Sequence, residues 1–422
     1  MKENFLHFLW RWRRFDGQHL MTTNGQALEI LHPGDPNEHA GPDFFNARLR
    51  IADTLWAGNV EMHLKASEWK AHGHGQDPAY DNVLLHVVWE EDQWVHRADG
   101  ERIPCLELKG RVPPRLLETY ERLEHERAWI PCQSFFGQTP SILRLNWLDR
   151  LLVERLEEKT AALAEQLVLT AGHWEESFYR TLARSFGLKV NTEPFEALAR
   201  SLPLTLLAKH KNSLLQLEAL LFGQAGCLEE SFQEAYPRAL AQEYRHLQQK
   251  YGLRPLSAHQ WKFARLRPAN FPTVRLAQFA ALVHQSAHLF SKMLEAENLR
   301  AFEHLFDVTP SEYWSNHFQL DKPSIRRPKR PGRDFIHLLL INTIVPCLFH
   351  YGKTKNLPDL QQRALRLLEE LPPETNTILD GWEKLGSISK NAYQSQALIH
   401  LKTRYCDAKR CLTCGIGNAV LK

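Results

Sequence analysis

The chain has 422 residues, 43% of them apolar and 24% charged, and a net charge of +3. These are globular values that exclude bulk disorder, and so small a net charge leaves any nucleic-acid attraction to local basic patches. The length exceeds one ordinary core and sets an expectation of two or three domains.

No apolar run reaches the roughly 20 residues that a membrane span needs. The opening MKENFLHFLWRWRRF is aromatic and arginine-rich and lacks a small-residue cleavage site, unlike a signal peptide. Of the seven cysteines, three crowd into residues 406–422, a cluster rather than scattered disulfide pairs. That usage implies a reducing compartment, and the chain is expected to be cytoplasmic.

In chain order, Phe5, Leu6, Phe8, Leu9 and Trp12 mark one face of an opening helix. Short alternating runs follow at 27–32, 44–51, 54–64, 82–90, 93–98 and 102–109, separated by Gly-Pro, Ala-Asp-Thr and Ala-Asp-Gly breaks that read as hairpin turns. NVLLHVVW is apolar on both faces apart from His86, the pattern of a central strand covered on two sides. From about Pro114 the apolar period lengthens to three and four, and helical texture continues through 275–296, 334–352 and 360–371. Pro-rich joints at 202–204, 267–272 and 322–332 punctuate it, and no fixed-period repeat is present. The expected class is α+β: an α/β sheet domain over 1–112, an all-helical domain over 113–405, and a cysteine-rich tail, 406–422, packed on the helical domain.

Two acids in the sheet domain have no part in a buried-strand pattern. Asp43 follows Gly41-Pro42 at a strand start, and Glu61 and His63 are two apart on the next strand, hence on one face. A hairpin brings Asp43 and Glu61 side by side. With the carbonyl of Met62 they offer hard oxygen ligands for Mg²⁺ or Mn²⁺, an ion that activates water and offsets charge on a phosphoryl group. A plain structural account competes with this one: Asp43 caps a turn, Glu61 pairs with an arginine, and His63 is a hydrogen-bonded strand residue.

The run GPD, an apolar strand and then VEMH resembles the PD-(D/E)XK nuclease core, with Pro42-Asp43 as PD and Glu61-Met62-His63 as E-x-K. The resemblance covers residues 1–110 and implies a restriction-endonuclease-like sheet and a metal-dependent nuclease. Two departures stand out. His63 occupies the usual lysine position, with Lys65 two residues on along the same strand face. Only SEWKAHGHGQDPAYDN separates the strand from NVLLHVVW, room for two helical turns at most. Over the whole chain HPGDPNEHAGPDFFNARLRI, GNVEMHLKASEW, YDNVLLHVVW, RPANFPTVR and YCDAKRCLTCGIGN resemble a bacterial family of uncharacterised proteins, domain of unknown function 2851. That likeness implies a bacterial, cytoplasmic protein without specifying an activity.

His63, His72, His74 and His86 fall within 24 residues. With Glu61 they make an alternative site for Zn²⁺, Mn²⁺ or Fe²⁺, as in a double-stranded β-helix metalloprotein, since imidazole ligands favour a transition metal. HGHG is equally the sequence of a surface turn. At the other end, Cys406, Cys411 and Cys414 form C-x4-C-x2-C, which suits Zn²⁺ or an iron–sulfur cluster serving as a structural staple. The fourth ligand is open among Cys132, Cys227, Cys347, His350 and His400, and three free thiols near a chain end are the plain reading.

Arg326, Arg327, Lys329, Arg330 and Arg333 lie in and beside a proline-rich loop and are candidates for phosphate contacts that ignore sequence. Lys262, Arg265, Arg267 and Arg275, with Trp261, Phe263 and Phe271, form a second basic stretch that equally suits helix ends. The leading expectation is a metal-dependent nuclease-like protein using Asp43, Glu61, His63 and Lys65. The rivals are a nucleic-acid-binding or assembly protein without catalysis, and a histidine metalloenzyme acting on a small molecule.

Overall fold

The structure is a computed structural model that describes every residue except Ala287. Its contacts divide the chain into two compact units. The first comprises Met1–Trp147, Lys384–Gly386 and His400–Lys422, the second Leu148–Glu383 and Ser387–Ile399. The first holds a mixed sheet and the second is mainly helical.

In the sheet unit, helix α1 (Glu3–Trp12) buries Phe5, Leu6, Phe8, Leu9 and Trp10, and ends where Arg13 turns left-handed. Trp12 was expected on that face and is instead exposed, lying next to the turn that takes the chain off the helix axis. Strands β1 (Leu28–His32), β2 (Asp35–Pro36), β3 (Phe44–Ile51), β4 (Thr54–Lys65), β5 (Val83–Glu90) and β6 (Cys105–Glu107) form one sheet in the order β1-β3-β4-β5-β6, with β2 paired to β3. The β1, β3 and β4 pairings are antiparallel, whereas β4–β5 and β5–β6 are parallel. The crossover between β4 and β5 is one helical turn, α2 (Glu68–Ala71), followed by 3₁₀ turns at His74–Gln76 and Pro78–Tyr80, within the two turns the spacing allowed.

Val83 through Val88 are all buried, so β5 is the central two-sided strand that its apolar run implied. One apolar cluster gathers Ala66, Trp69, Tyr80, Val83, Val88, Val95, Ile103 and Cys105, pinning the crossover to the sheet. Gly58 permits the close start of the β4–β5 pair, because a Cβ there would stand 2.7 Å from the Asn82 carbonyl oxygen. The run at 93–98 contributes only a bridge between His96 and Arg102, and β6 joins the sheet parallel to β5 rather than as its hairpin partner.

The tail corrects the sequence expectation. Residues 406–422 group with the sheet unit, not with the helical domain. The Lys409 ammonium donates to the Glu124 carbonyl, and a Cβ on Gly415 would stand 2.8 Å from the Trp147 ring. The helix Pro114–His125 also belongs to this unit. A helical period marks which residues are buried but not which core they are buried in, so the boundary moves from about 112 to 147.

In the helical unit, Phe186, Phe195, Phe222, Phe279 and Trp314 are fully buried anchors. Glu218 is buried among them and accepts hydrogen bonds from Trp314 Nε1 at 3.0 Å, Tyr236 Oη at 2.8 Å and Ser311 Oγ at 3.1 Å. The texture expected over 275–296 forms two helices, Pro272–Gln285 and Leu289–Glu295, and Ala287 lies outside the described residues. A two-stranded ribbon, His317–Gln319 with Lys322–Pro323, means that this unit is not purely helical. Among the described residues one helix, Arg333–Thr354, is long and apolar enough to cross a membrane. Polar residues such as His337 and Asn342 interrupt its apolar run, and 78% of its apolar window is buried inside the protein.

A candidate metal centre on the sheet

Asp43 and Glu61 converge. Asp43 lies just before β3 and Glu61 is inside β4, and each carboxylate caps the other residue's strand. The Asp43 N–H donates to Glu61 Oε2 at 3.1 Å, and the Met62 N–H donates to Asp43 Oδ2 at 2.9 Å. The turn-capping part of the plain account therefore applies to Asp43. Its second part does not hold, because the ion-pairing neighbours of Glu61 are histidines rather than an arginine.

Glu61 Oε1 lies 3.3 Å from His74 Nε2 and 3.8 Å from His63 Nε2. His63 follows Glu61 by two residues on β4 and so shares its face, while the crossover turns carry His72 and His74 back over that face. His63 Nε2 stands 3.1 Å from His72 Nδ1, and His63 Nδ1 stands 2.9 Å from His86 Nε2. One donor nitrogen from each of His63, His72 and His74 lies within 4.8 Å of the others. His74 stacks on Tyr80 with ring centroids 3.9 Å apart. His63, Glu61 and His86 are buried, whereas His72 is exposed, so the cluster opens to solvent on one side.

A second donor group adjoins the first. Glu3 and His7, one turn apart on α1, meet Asp43, again with donor atoms within 4.8 Å of one another. His7 Nε2 stands 3.3 Å from Asp43 Oδ2 and 3.8 Å from Glu3 Oε1. The Glu3 carboxyl also feels the charges of Glu68 and His72, which makes the two groups one continuous electrostatic cluster.

Burial dominates the electrostatics. It raises the Glu61 carboxyl to about 9, with the charges of Asp43 and then Glu3 adding to the shift despite the Asp43 backbone hydrogen bond. Burial, with the charges of neighbouring imidazoles adding to it, lowers His63 and His86 to about 3. Burial also opposes the charge on His7, but the hydrogen bond and charge of Asp43, then Glu3, outweigh it and raise that imidazole. His63 is thus a neutral ring. It cannot supply the positive charge of a lysine at this position, but it is in the protonation state that ligates a metal. His74 Nε2 and His86 Nδ1 are buried without a hydrogen-bond partner. Three convergent imidazoles and a carboxylate suit Mn²⁺, Fe²⁺ or Zn²⁺ better than Mg²⁺, which favours an oxygen shell.

The remaining predicted residues fall elsewhere. Lys65 is at the exposed end of β4, where its charge acts on Asp92. Lys329 is buried; its ammonium donates to the Ser315 and Arg327 carbonyls and sits 4.1 Å from the Phe318 ring centroid. Arg326 pairs with Glu312 at 2.6 Å, Arg333 with Glu303 at 2.9 Å and Arg330 with Asp307 at 3.7 Å, while Arg327 is exposed. The basic run therefore presents much less free charge than its composition suggests. A cleft of about 740 Å³ in the helical unit, walled by Trp174, Phe178 and Phe290, carries none of the predicted residues.

Sequence reasoning missed Glu3, His7 and Tyr80. The i, i+4 spacing of Glu3 and His7 is visible in the sequence, but nothing there aims that side of the helix at Asp43. The chain belongs to the family described as a protein of unknown function (DUF2851), whose pattern matches residues 3–377. No curated protein and no solved structure matches it.

Proposed function

We propose that the sheet unit is a metal-dependent hydrolase of phosphodiesters, with Glu61, His63, His72 and His74 as the principal ligands and Asp43 beside them. The observation that carries this reading is the convergence of three imidazole nitrogens next to Glu61 Oε1 at the solvent-open end of a buried cluster. A divalent ion held there lowers the pKa of water and offsets charge developing on a phosphoryl oxygen. Glu61 gives up its proton to act as a ligand, His86 orients the His63 ring, and Tyr80 supports His74. The choice of phosphodiester rests on the PD-(D/E)XK resemblance, which the acid at the start of β3 and the acid on β4 support, together with the antiparallel-then-parallel sheet around them.

Metal binding and nuclease activity test the reading together. Mn²⁺ titrated into the metal-free protein should bind at the sheet unit and support cleavage of single- or double-stranded nucleic acid or of an activated phosphodiester. Glu61→Gln and His74→Ala should each lower both binding and turnover more than about 100-fold. Metal binding that persists in both variants would sink the site. Binding without turnover on any of these substrates would leave the second reading, a nucleic-acid-binding protein without catalysis, which the neutral His63 in a lysine's place favours.

A further inference from the structure

The three tail cysteines have their fourth partner inside the sheet unit. Cys132 is buried in the turn ahead of the short helix Gln133–Phe136, and Cys406 ends the π-helical turn Leu401–Cys406. Cys411 and Cys414 sit on one tight turn, in which the Cys414 N–H donates to the Cys411 carbonyl at 3.3 Å. That turn tolerates only glycine at 417, since a Cβ there would stand 2.2 Å from the Cys411 carbonyl oxygen. The Ile416 and Gly417 N–H groups lie beside the Cys414 sulfur. Such donors are the outer shell of a metal-bound thiolate.

All four are free thiols. Each lies within electrostatic reach of others in the set: Cys132 of Cys414, Cys406 of the other three, and Cys411 of Cys132 and Cys414. Cys105, Cys227 and Cys347 feel no other cysteine. Four half-buried or buried sulfurs, gathered from two distant stretches of chain, are more than packing requires.

We infer that Cys132, Cys406, Cys411 and Cys414 form a four-thiolate centre for a thiophilic metal, either a single zinc ion or an iron–sulfur cluster, that ties the C-terminal tail to the sheet unit. Binding deprotonates the four thiols and forms four metal–sulfur bonds, with the protons passing to solvent; no electron transfer is involved. The centre is structural, since no acid or base is among its ligands, and it is independent of the histidine cluster.

The full chain, purified without oxygen, is analysed for zinc, iron and acid-labile sulfide and for visible absorption. About one zinc per chain without colour identifies the mononuclear centre, and iron with matching sulfide and a visible band identifies the cluster; either supports the inference. Cys132→Ser should cut retained metal more than about tenfold, as Cys414→Ser does, whereas Cys347→Ser keeps it. If the Cys132 variant does not fold, thiol counting on the native wild type replaces it. Four thiols should become reactive to a thiol reagent only when a strong chelator is added, whereas Cys105 and Cys347, buried in the fold, stay shielded throughout. Absence of both metals, full metal retention in Cys132→Ser, or shielding indifferent to the chelator would overturn the assignment.

Discussion

The Nδ1 of His63 lies 2.9 Å from the Nε2 of His86, so one ring must donate to the other. If His63 Nε2 is to offer a lone pair to a metal, its proton sits on Nδ1 and His86 Nε2 accepts it. His86 is then a positioning residue that fixes both tautomer and ring orientation. His86→Leu should keep the fold and weaken Mn²⁺ binding by about 10–100-fold, read by calorimetry, without changing the number of sites. Unchanged affinity would remove His86 from the centre.

The pH dependence of the metal-free protein has a definite sign. The folded pKa of Glu61 is raised from 4.5 to about 9, so its contribution to stability is full below 4.5 and is lost as pH rises towards 9. His63 and His86 are depressed from 6.5 to about 3, so their contributions are full above 6.5 and are lost as pH falls towards 3. Between 4.5 and 6.5 the unfolded chain binds two extra histidine protons and the folded chain one extra carboxyl proton, so stability rises with pH. Above 6.5 Glu61 and the raised His7 both hold protons that the unfolded chain has released, so the contribution of this cluster falls. The contribution of this cluster to the thermal midpoint should therefore peak near 6.5, and Glu61→Gln should change the slope of the midpoint against pH above that point. An alkaline slope that is the same in wild type and Glu61→Gln would contradict the buried, protonated Glu61.

The same carboxyl predicts proton release. At pH 7.5 metal binding should expel about one proton per chain from Glu61, detected as a dependence of binding enthalpy on buffer ionisation heat. Lys65→Ala, at the exposed strand end, should leave affinity and turnover within about twofold, as for other surface changes. A large loss there would restore the lysine to the site.

In the helical unit, Glu218→Leu leaves the buried Trp314 indole N–H unpaired and takes the acceptor from the half-buried Tyr236 and Ser311 hydroxyls. Denaturant unfolding of that unit should lose about 3 kcal/mol or more. A loss below about 1 kcal/mol would mean that the donors find other partners.

For the basic run, Lys329→Ala should lower thermal stability by about 1–2 kcal/mol through loss of its buried amine contacts and of its position over Phe318. The salt dependence of any nucleic-acid binding should stay the same. A shallower salt slope in this variant would show that the ammonium reaches phosphate after all.

Much of this architecture was legible in the sequence because it depends on local periodicity. The opening helix, the meander strands, the two-sided β5 and the short crossover all follow from apolar spacing and turn residues. So did the approach of Asp43 and Glu61, since a hairpin leaves few registers that pair their strands. Tertiary structure alone decided the rest. Which imidazoles meet Glu61 depends on how a 17-residue crossover (66–82) folds back over the sheet, and a loop path is not periodic. The approach of Glu3 and His7, the pairing of the Arg326–Arg333 cations with acids, and the meeting of Cys132 with a tail almost 300 residues away are long-range outcomes of core packing. Residue type announces that a side chain can ligate or carry charge, but only the folded chain determines what stands within a few ångströms of it.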